Sequence, residues 1–200
     1  MKIYLIRHGE TEYSKKEYTA GHVDIPLNET GREKAQSTAE FLKGKGFTKI
    51  FTSSLSRAKQ TALIIGDVLN LQVIECDELR EHTSGNLDGV PLKKFFEALK
   101  KAGSFDEMVK QAGGEPWNNF KDRVWNKFHK IVGESAENGE NSILIVTHGG
   151  VSRLIFSEIL GCSVVKHVSQ GNCCINIINY DQQRDDHFRI DLINSTFHLN

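Results

Sequence analysis

Residues 2–11 read KIYLIRHGET, a short apolar run that passes directly into a polar segment. The run is rich in strand-forming residues and is bounded by polar ones, so it predicts a buried strand at residues 2–6. In an open α/β sheet, ligands bind just beyond the carboxyl ends of the strands. The polar residues from 7 to 11 therefore mark a candidate binding loop.

Strands and helices alternate through the rest of the chain. Further strands are predicted at 49–52, 72–75, 142–147, 173–180 and 187–193, and helices at 55–69, 92–101, 116–137 and 150–160. This alternation implies a three-layer α/β/α sandwich with a mainly parallel sheet. The last two strands flank a polar turn at 181–186 and form a C-terminal hairpin, which adds one antiparallel strand. Since no repeat or linker interrupts the pattern, residues 1–200 are expected to form a single domain.

One more helix is predicted between the first two strands. Thr30 is its expected N-cap, and Glu33, three residues further on, would complete a capping box. Gly44 and Gly46 would end the helix. The preceding segment, residues 12–29, is predicted to be irregular.

Composition argues against several functional classes. The formal net charge is −1, so no overall field would attract nucleic acid or an anionic membrane. No stretch approaches the roughly 20 apolar residues of a membrane span, and the N-terminal run is too short for a signal peptide. The cysteines form no CxxC pair and are interpreted as reduced packing residues, which favours the cytoplasm. They are Cys76, Cys162, Cys173 and Cys174, the last two within a predicted strand.

Charged and imidazole side chains follow four of the predicted strands. The sequence places Arg7 and His8 after the first, Arg57 after the second, Glu81 after the third and His148 after the fourth. These groups should meet at one edge of the sheet. Arginine forks bind phosphate through paired donors, a neutral histidine can attack phosphorus, and a protonated glutamate can protonate a departing oxygen. The pattern therefore predicts a phosphomonoester site.

The RHGET segment at 7–11, directly after an N-terminal strand, resembles the signature of the histidine phosphatase superfamily, the phosphoglycerate mutase-like group. Other segments resemble further blocks of that family in the same order: GHVDIPL at 21–27, SSLSRAKQTA at 53–62, LRE at 79–81 with the glycines at 85 and 89, and VTHGG at 146–150. The resemblance extends over nearly the whole chain.

The resemblance implies a role for each matching residue. His8 would be the nucleophile, and Glu81 would act first as general acid and then as general base. Arg7, Arg57 and His148 would hold the phosphoryl group and its transition state. Neither a metal ion nor an organic cofactor is expected to take part in the hydrolysis.

Substrate contacts are expected around this centre. Many family members carry an asparagine a few residues after RHG, where the nearest equivalent is Ser14, and an aromatic residue and a glutamate in the third block, where Leu87 and Asp88 stand. For the histidines and the asparagine of the expected rim, an ordinary surface role is the alternative. The expected substrate-binding residues are Arg7, Ser14, Gly21, His22, Arg57, His82, Gly149 and Asn172.

The resemblance implies a phosphatase that acts on a small phosphorylated metabolite. The third block and the short chain look most like the α-ribazole phosphatase and broad-specificity branches, which makes α-ribazole-5'-phosphate one candidate, with a sugar phosphate or fructose 2,6-bisphosphate left open. The alternatives are a phosphoglycerate mutase and a non-catalytic phosphate-binding module. Mutases of the family tend to carry a longer insertion than residues 90–115 provide. Nucleic-acid and membrane partners are not expected, and either a monomer or a homodimer fits.

Two further sets of residues have a simpler interpretation. Aromatic residues at helical spacing in the long helix are predicted to be core, with a pocket wall as the alternative: Trp117, Phe120, Trp125 and Phe128. The remaining histidines are interpreted as structural or solvated, and none has metal-ligand spacing: His129, His167, His187 and His198.

Overall fold

A six-stranded sheet forms the centre of the computed structural model, in which residues 1–165, 167–184 and 187–199 are described. The strands are β1 (Lys2–Arg7), β2 (Lys49–Ser53), β3 (Val73–Cys76), β4 (Ser142–Thr147), β5 (Ile175–Tyr180) and β6 (Phe188–Ser195), in the order β3-β2-β4-β1-β5-β6. Strands β1 to β4 pair in parallel, whereas β5 is antiparallel to both β1 and β6. The predicted mainly parallel sheet with one antiparallel hairpin strand is confirmed. Of the predicted hairpin turn, residues 185 and 186 lie outside the described residues.

Helices cover both faces of this sheet. They are α1 (Glu12–Lys15), α2 (Glu29–Leu42), α3 (Ser56–Leu69), α4 (Leu92–Ala102), α5 (Phe105–Gln111), α6 (Trp117–Glu137) and α7 (Gly149–Leu160). Short 3-10 turns lie at Asp77–Leu79, Gly85–Leu87 and Phe197–Leu199. No helix in the described parts of the chain is long and apolar enough to cross a membrane.

Successive side chains of the central strands point to opposite faces of the sheet and pack against different helix layers. In β1, Ile3 and Leu5 pack into a core with α6 and α7, whereas Tyr4 and Ile6 pack into a second core with α2 and α3. Strand β4 alternates in the same way and is buried along its whole length. This alternation follows from the two-residue period of a strand and establishes the three-layer sandwich. Phe120 and Phe128 are fully buried on α6, so their core assignment is confirmed.

The start of α2 differs from the prediction. Asn28 caps the helix, since its side-chain oxygen accepts a hydrogen bond from the Gly31 amide at 2.8 Å. The Asn28 side-chain amide also donates to Glu10 at 2.9 Å, which ties the helix start to the loop after β1. Thr30 therefore lies inside the helix, and the predicted capping box with Glu33 is wrong. Asparagine and threonine are both good N-caps, and the additional hydrogen bond to Glu10 favours Asn28.

The structure also corrects three other local predictions. Helix α1 lies within the segment predicted to be irregular, and a capping box between Thr11 and Ser14 begins it. Helix α5 was not predicted, because its seven residues are too few for a clear periodic signal. Cys173 and Cys174 are buried free thiols just before β5 rather than within it, and Cys173 has a left-handed φ of 56°.

Candidate active site

The carboxyl ends of β1 and β4 bring two histidines together. Arg7 and Thr147 are register partners at the ends of these strands, so His8 and His148 both follow at the same edge. The amide of His8 donates to the Thr147 carbonyl at 2.9 Å. The two imidazole rings lie 5.2 Å apart, centroid to centroid. The predicted meeting of these side chains at the edge of the sheet is thus what the structure shows.

His8 is oriented by the chain segment that follows it. Its Nδ1 lies 2.7 Å from the carbonyl oxygen of Gly9. Because a carbonyl only accepts, the proton of a neutral ring is placed on Nδ1, and Nε2 keeps its lone pair. Burial lowers the pKa of His8 well below its ordinary value, and the Arg57 and Arg7 cations lower it further. The side chain is therefore a neutral imidazole with a free lone pair on Nε2.

His148 is fully buried at the start of α7. Its Nε2 lies 2.8 Å from the Ser53 hydroxyl, which itself accepts from the Leu55 amide at 3.3 Å. The hydroxyl proton is thus available for Nε2, and the ring proton is placed on Nδ1. Burial, followed by the Arg57 cation, lowers the pKa of His148 well below its ordinary value. His148 is therefore a neutral donor through Nδ1.

Arg57 is fully buried in the first turn of α3. Its Nη1 donates to the Val23 carbonyl at 3.0 Å, and its Nη2 donates to the Gly21 carbonyl at 2.8 Å. Two carbonyls thereby fix the orientation of the guanidinium fork. Burial lowers the pKa of Arg57 to about 10, which leaves it charged at neutral pH. No described residue accepts a hydrogen bond from its Nε.

Unpaired buried nitrogen atoms concentrate at this edge of the sheet. Among the described residues, four buried side-chain nitrogen atoms have no hydrogen-bond partner: Arg7 Nε, Arg57 Nε, His148 Nδ1 and Arg153 Nε. Arg7 donates a hydrogen bond to the Gln170 carbonyl through Nη1, and this bond leaves its Nε available for a ligand. A buried donor without a partner is costly, so such a cluster favours binding of an anion. Three of the four belong to residues predicted to hold the phosphoryl group.

Glu81 is held by backbone amides rather than by the arginines. Its Oε2 accepts from the Gly150 amide at 2.8 Å, and its Oε1 accepts from the His82 amide at 2.9 Å. The carboxylate fits closely against α7, since a Cβ at Gly150 would lie 2.1 Å from Oε1. Glu81 therefore lies beside the start of α7, at Gly150, which is two residues after His148.

The expected rim residues divide into backbone supports and side chains placed elsewhere. The Asn172 side chain donates to the carbonyls of His8 and Gly9, both at 3.2 Å. The carbonyl of Gly21 holds Arg57, and a Cβ on Gly21 would collide with the Asp88 carboxylate. Asn172 and Gly21 thus support the centre through the main chain.

The other polar rim side chains form hydrogen bonds with neighbouring residues. The Ser14 hydroxyl is occupied in the capping box of α1. The His22 Nε2 lies 2.7 Å from the Glu81 carbonyl. The His82 Nε2 lies 2.7 Å from the Glu115 carbonyl, and its ring packs against Phe105 and Phe120. The structure does not bring the His82 imidazole into the cluster of unpaired donors, although the His82 amide reaches Glu81.

The charges of the site suit an anion better than a metal cation. No three His, Cys, Asp or Glu side chains in the described residues are arranged to hold a metal ion. Arg7 and Arg57 would also repel a cation at this position. Fixed cationic and dipolar donors around a neutral imidazole can instead bind a phosphate and stabilise the charge of phosphoryl transfer.

A family model described as the histidine phosphatase superfamily, branch 1, matches residues 3–196. The chain belongs to this superfamily. As a histidine phosphatase it is an enzyme of the phosphatase class, and the resemblance stated from its motifs is confirmed.

Relatives and solved structures agree with this assignment. The chain is 30% identical to the uncharacterized phosphatase PhoE of Bacillus subtilis (strain 168), over 98% of this chain and 96% of the relative. It is 31% identical to a metal-independent phosphoserine phosphatase of Arabidopsis thaliana, over 99% and 83% of the two chains. The structure is similar to an alpha-ribazole phosphatase from Shigella flexneri with a TM-score of 0.82 and 26% identity, covering 98% and 96% of the two chains.

Sequence reasoning about this histidine phosphatase missed Arg153. It lies on α7, four residues after Gly149, and therefore on the same side of the helix. The helical spacing between Gly149 and Arg153 was the signal available in the sequence. Thr61 was also missed as a support: its hydroxyl accepts from the Gly9 amide at 3.0 Å and donates to the Arg57 carbonyl at 2.7 Å.

Proposed function

We propose that this histidine phosphatase hydrolyses a small phosphomonoester, without a metal ion, through a phosphohistidine formed on His8. The observation that carries the proposal is the set of unpaired buried donors beside a neutral imidazole. Arg7 Nε, Arg57 Nε and His148 Nδ1 lack partners, while the proton on His8 is placed on Nδ1. A phosphate dianion would satisfy the three donors and present its phosphorus to Nε2 of His8.

In the first step, Nε2 of His8 attacks phosphorus and a P–N bond forms as the P–O bond to the leaving group breaks. The hydrogen bond from Nδ1 to the Gly9 carbonyl becomes stronger as the ring gains positive charge. Glu81, entering as the carboxylic acid, gives its proton to the departing oxygen. The alcohol leaves, and the phosphoryl group remains on His8.

In the second step, water attacks the phosphohistidine. Glu81, now a carboxylate, takes a proton from the water as the new P–O bond forms. The P–N bond breaks and its electron pair returns to Nε2, which restores neutral His8 and releases inorganic phosphate. Throughout both steps, Arg7, Arg57 and His148 hold the equatorial oxygens. Since phosphoryl transfer depends mainly on positioning and charge stabilisation, these fixed donors should supply much of the rate.

The substrate class is a small phosphorylated metabolite. α-Ribazole-5'-phosphate is one candidate, supported by the similar Shigella flexneri structure, and phosphoserine is another, supported by the Arabidopsis thaliana relative. We place the enzyme in the cytoplasm, because its four free cysteines, three of them buried, suit a reducing compartment.

The test is phosphate release from a panel of phosphomonoesters in the presence of a chelator. We expect turnover of at least one ester, and a loss of more than roughly a thousandfold in kcat/KM for His8→Ala. His129→Ala is the matched control, since His129 is an exposed histidine on α6, outside the cluster of unpaired donors. Full activity of His8→Ala would refute the proposed nucleophile. Conversion of 3- to 2-phosphoglycerate that exceeds phosphate release would indicate a mutase, and phosphate binding without any turnover would indicate a binding module.

A further inference from the structure

Arg153 is the fourth residue with an unpaired buried nitrogen, and the proposed hydrolysis does not use it. Its Nη1 and Nη2 both lie 3.7 Å from the point where a Cβ on Gly149 would stand, and Arg7 Nε lies 3.7 Å from the same point. Two guanidinium groups therefore flank Gly149 at the start of α7. No described residue accepts a hydrogen bond from the Arg153 guanidinium or forms an ion pair with it.

The environment of Arg153 contrasts with that of Arg123 on α6. The Arg123 guanidinium pairs with the Glu115 carboxylate at 2.6 Å and donates to the carbonyls of Glu78, Arg80 and Glu81. Arg153 is partly buried next to a second cation without such partners, and like charges in that position repel. The nearby Glu81 carboxylate is held by the Gly150 and His82 amides. An incoming anion would relieve both the repulsion and the unpaired donors.

Arg153 lies beside Arg7 rather than among the cations that act on His8. The cations that lower the pKa of His8 are Arg57 and Arg7, whereas Arg153 lowers the pKa of Arg7, for which burial is the larger cause. Arg153 thus adjoins Arg7 and extends the cationic surface beyond the group that reaches His8. With the phosphoryl group on Arg7 and Arg57, the unpaired donor of Arg153 would be left for a second anionic group of the substrate.

We propose that Arg153 selects substrates whose leaving group carries a second anionic group, a carboxylate or a second phosphate. This inference rests on the proposed function for the placement of the phosphoryl group. The guanidinium fork would bind the second anion through two charge-assisted hydrogen bonds. A neutral hydroxyl on the leaving group would interact with the fork more weakly. The substrate class is then a phosphorylated hydroxy acid or a bisphosphate rather than a phosphomonoester with a neutral leaving group.

The test measures binding by calorimetry in the His8→Ala background, which cannot form the phosphohistidine. The probes are 3-phosphoglycerate, glycerol 3-phosphate (in which a hydroxymethyl group replaces the carboxylate) and propane-1,3-diol bisphosphate. We expect one of the two probes that carry a second anionic group to bind about tenfold or more tightly than glycerol 3-phosphate. Adding Arg153→Met should reduce that preference to about threefold or less, and the favoured probe distinguishes a carboxylate from a second phosphate.

Controls separate recognition from stability. Arg189→Met makes the same substitution at an exposed ion pair on β6 and should keep the preference. Arg153→Gln serves if Arg153→Met does not fold, and Arg153→Lys should restore part of the preference because it keeps the charge without the fork.

A preference that Arg153→Met leaves unchanged would overturn the proposal, as would the absence of any preference in His8→Ala. The proposed hydrolysis has its own readout in the native enzyme. Turnover of esters with neutral leaving groups only would leave the hydrolysis standing and reject the role of Arg153. Anion preference without turnover would reject the hydrolysis and support the role of Arg153.

Discussion

Replacing Gly150 with alanine would place a methyl group against the Glu81 carboxylate. The new Cβ would lie 2.1 Å from Oε1, 2.9 Å from Cδ and 3.1 Å from Oε2. Because the obstructing atoms are the end of a flexible side chain, we expect the carboxylate to move and the helix to remain. Ordinary contact begins near 3.4 Å, so Glu81 must shift by about 1 Å and its 2.8 Å bond from the Gly150 amide is disturbed.

Because Glu81 is the proposed general acid and base, this displacement should lower the rate of catalysis. A misplacement of about 1 Å can cost about a hundredfold, and complete loss of general acid–base catalysis costs about 10²–10⁴-fold. Gly150→Ala should therefore lower kcat by about a hundredfold or more with little change in KM. The loss should nearly vanish when the substitution is made in Glu81→Gln, since both changes act on one group.

Steady-state kinetics on the best ester of the panel measures the effect, with Gly133→Ala as the matched control. Gly133 also lies within a helix, α6, and a Cβ there would meet nothing within 4 Å. That substitution should leave kcat unchanged and raise stability by about 0.5–1 kcal/mol. If Gly150→Ala keeps native kcat, or if its effect adds in full to that of Glu81→Gln, the assignment of Glu81 as acid and base is wrong.

Two further predictions concern stability. The pKa values of His8 and His148 are depressed in the folded state mainly by burial, so the unfolded chain takes up protons below pH 6.5 that the folded chain does not. The contribution of these histidines to the free energy of unfolding should be constant above that pH. Below it, the free energy of unfolding should fall by up to about 1.4 kcal/mol per pH unit per histidine. Urea titrations in which His8→Asn leaves this slope unchanged would contradict the prediction. Asn28→Ala should lower the free energy of unfolding by about 1 kcal/mol through loss of the N-cap of α2, whereas Thr30→Ala should change it by less. The reverse order in thermal or urea unfolding would show that Thr30 is the cap, as the sequence predicted.

The central features of the site could be predicted because they depend on sheet topology. Parallel strands end at a common edge, so the residues after β1 and β4 had to meet once the strands were located. That argument placed His8 beside His148 and put Arg57 nearby without any coordinates. The core could be predicted for a similar reason, since the apolar run of β4 has no polar face to expose to water.

Features that depend on the path of individual side chains were out of reach. Asn28 and Thr30 are both good N-caps, and the choice depends on the amide of Asn28 also reaching Glu10. The ring of His82 turns toward Phe105 and Phe120, whereas its amide faces Glu81. No pattern in the sequence distinguishes these two directions.

The missing partners of Arg153 are likewise a property of packing rather than of spacing. Helical spacing could place Arg153 on the same side of α7 as Gly149, but it could not show that none of the described residues accepts a hydrogen bond from its Nε. An arginine next to a carboxylate and one next to another arginine look alike in the sequence. Its role could therefore be inferred only from the structure.

The most direct test of the account is to trap the phosphorylated enzyme during turnover. The native protein would be mixed with its best ester, quenched rapidly in alkali, digested and analysed by mass spectrometry, since phosphohistidine is labile in acid. The account predicts a phosphoryl group on the peptide that contains His8, attached at Nε2 because Nδ1 donates to the Gly9 carbonyl. It should form at least as fast as phosphate is released. A phosphoryl group on another residue, or steady phosphate release with none on His8 at any time, would contradict it.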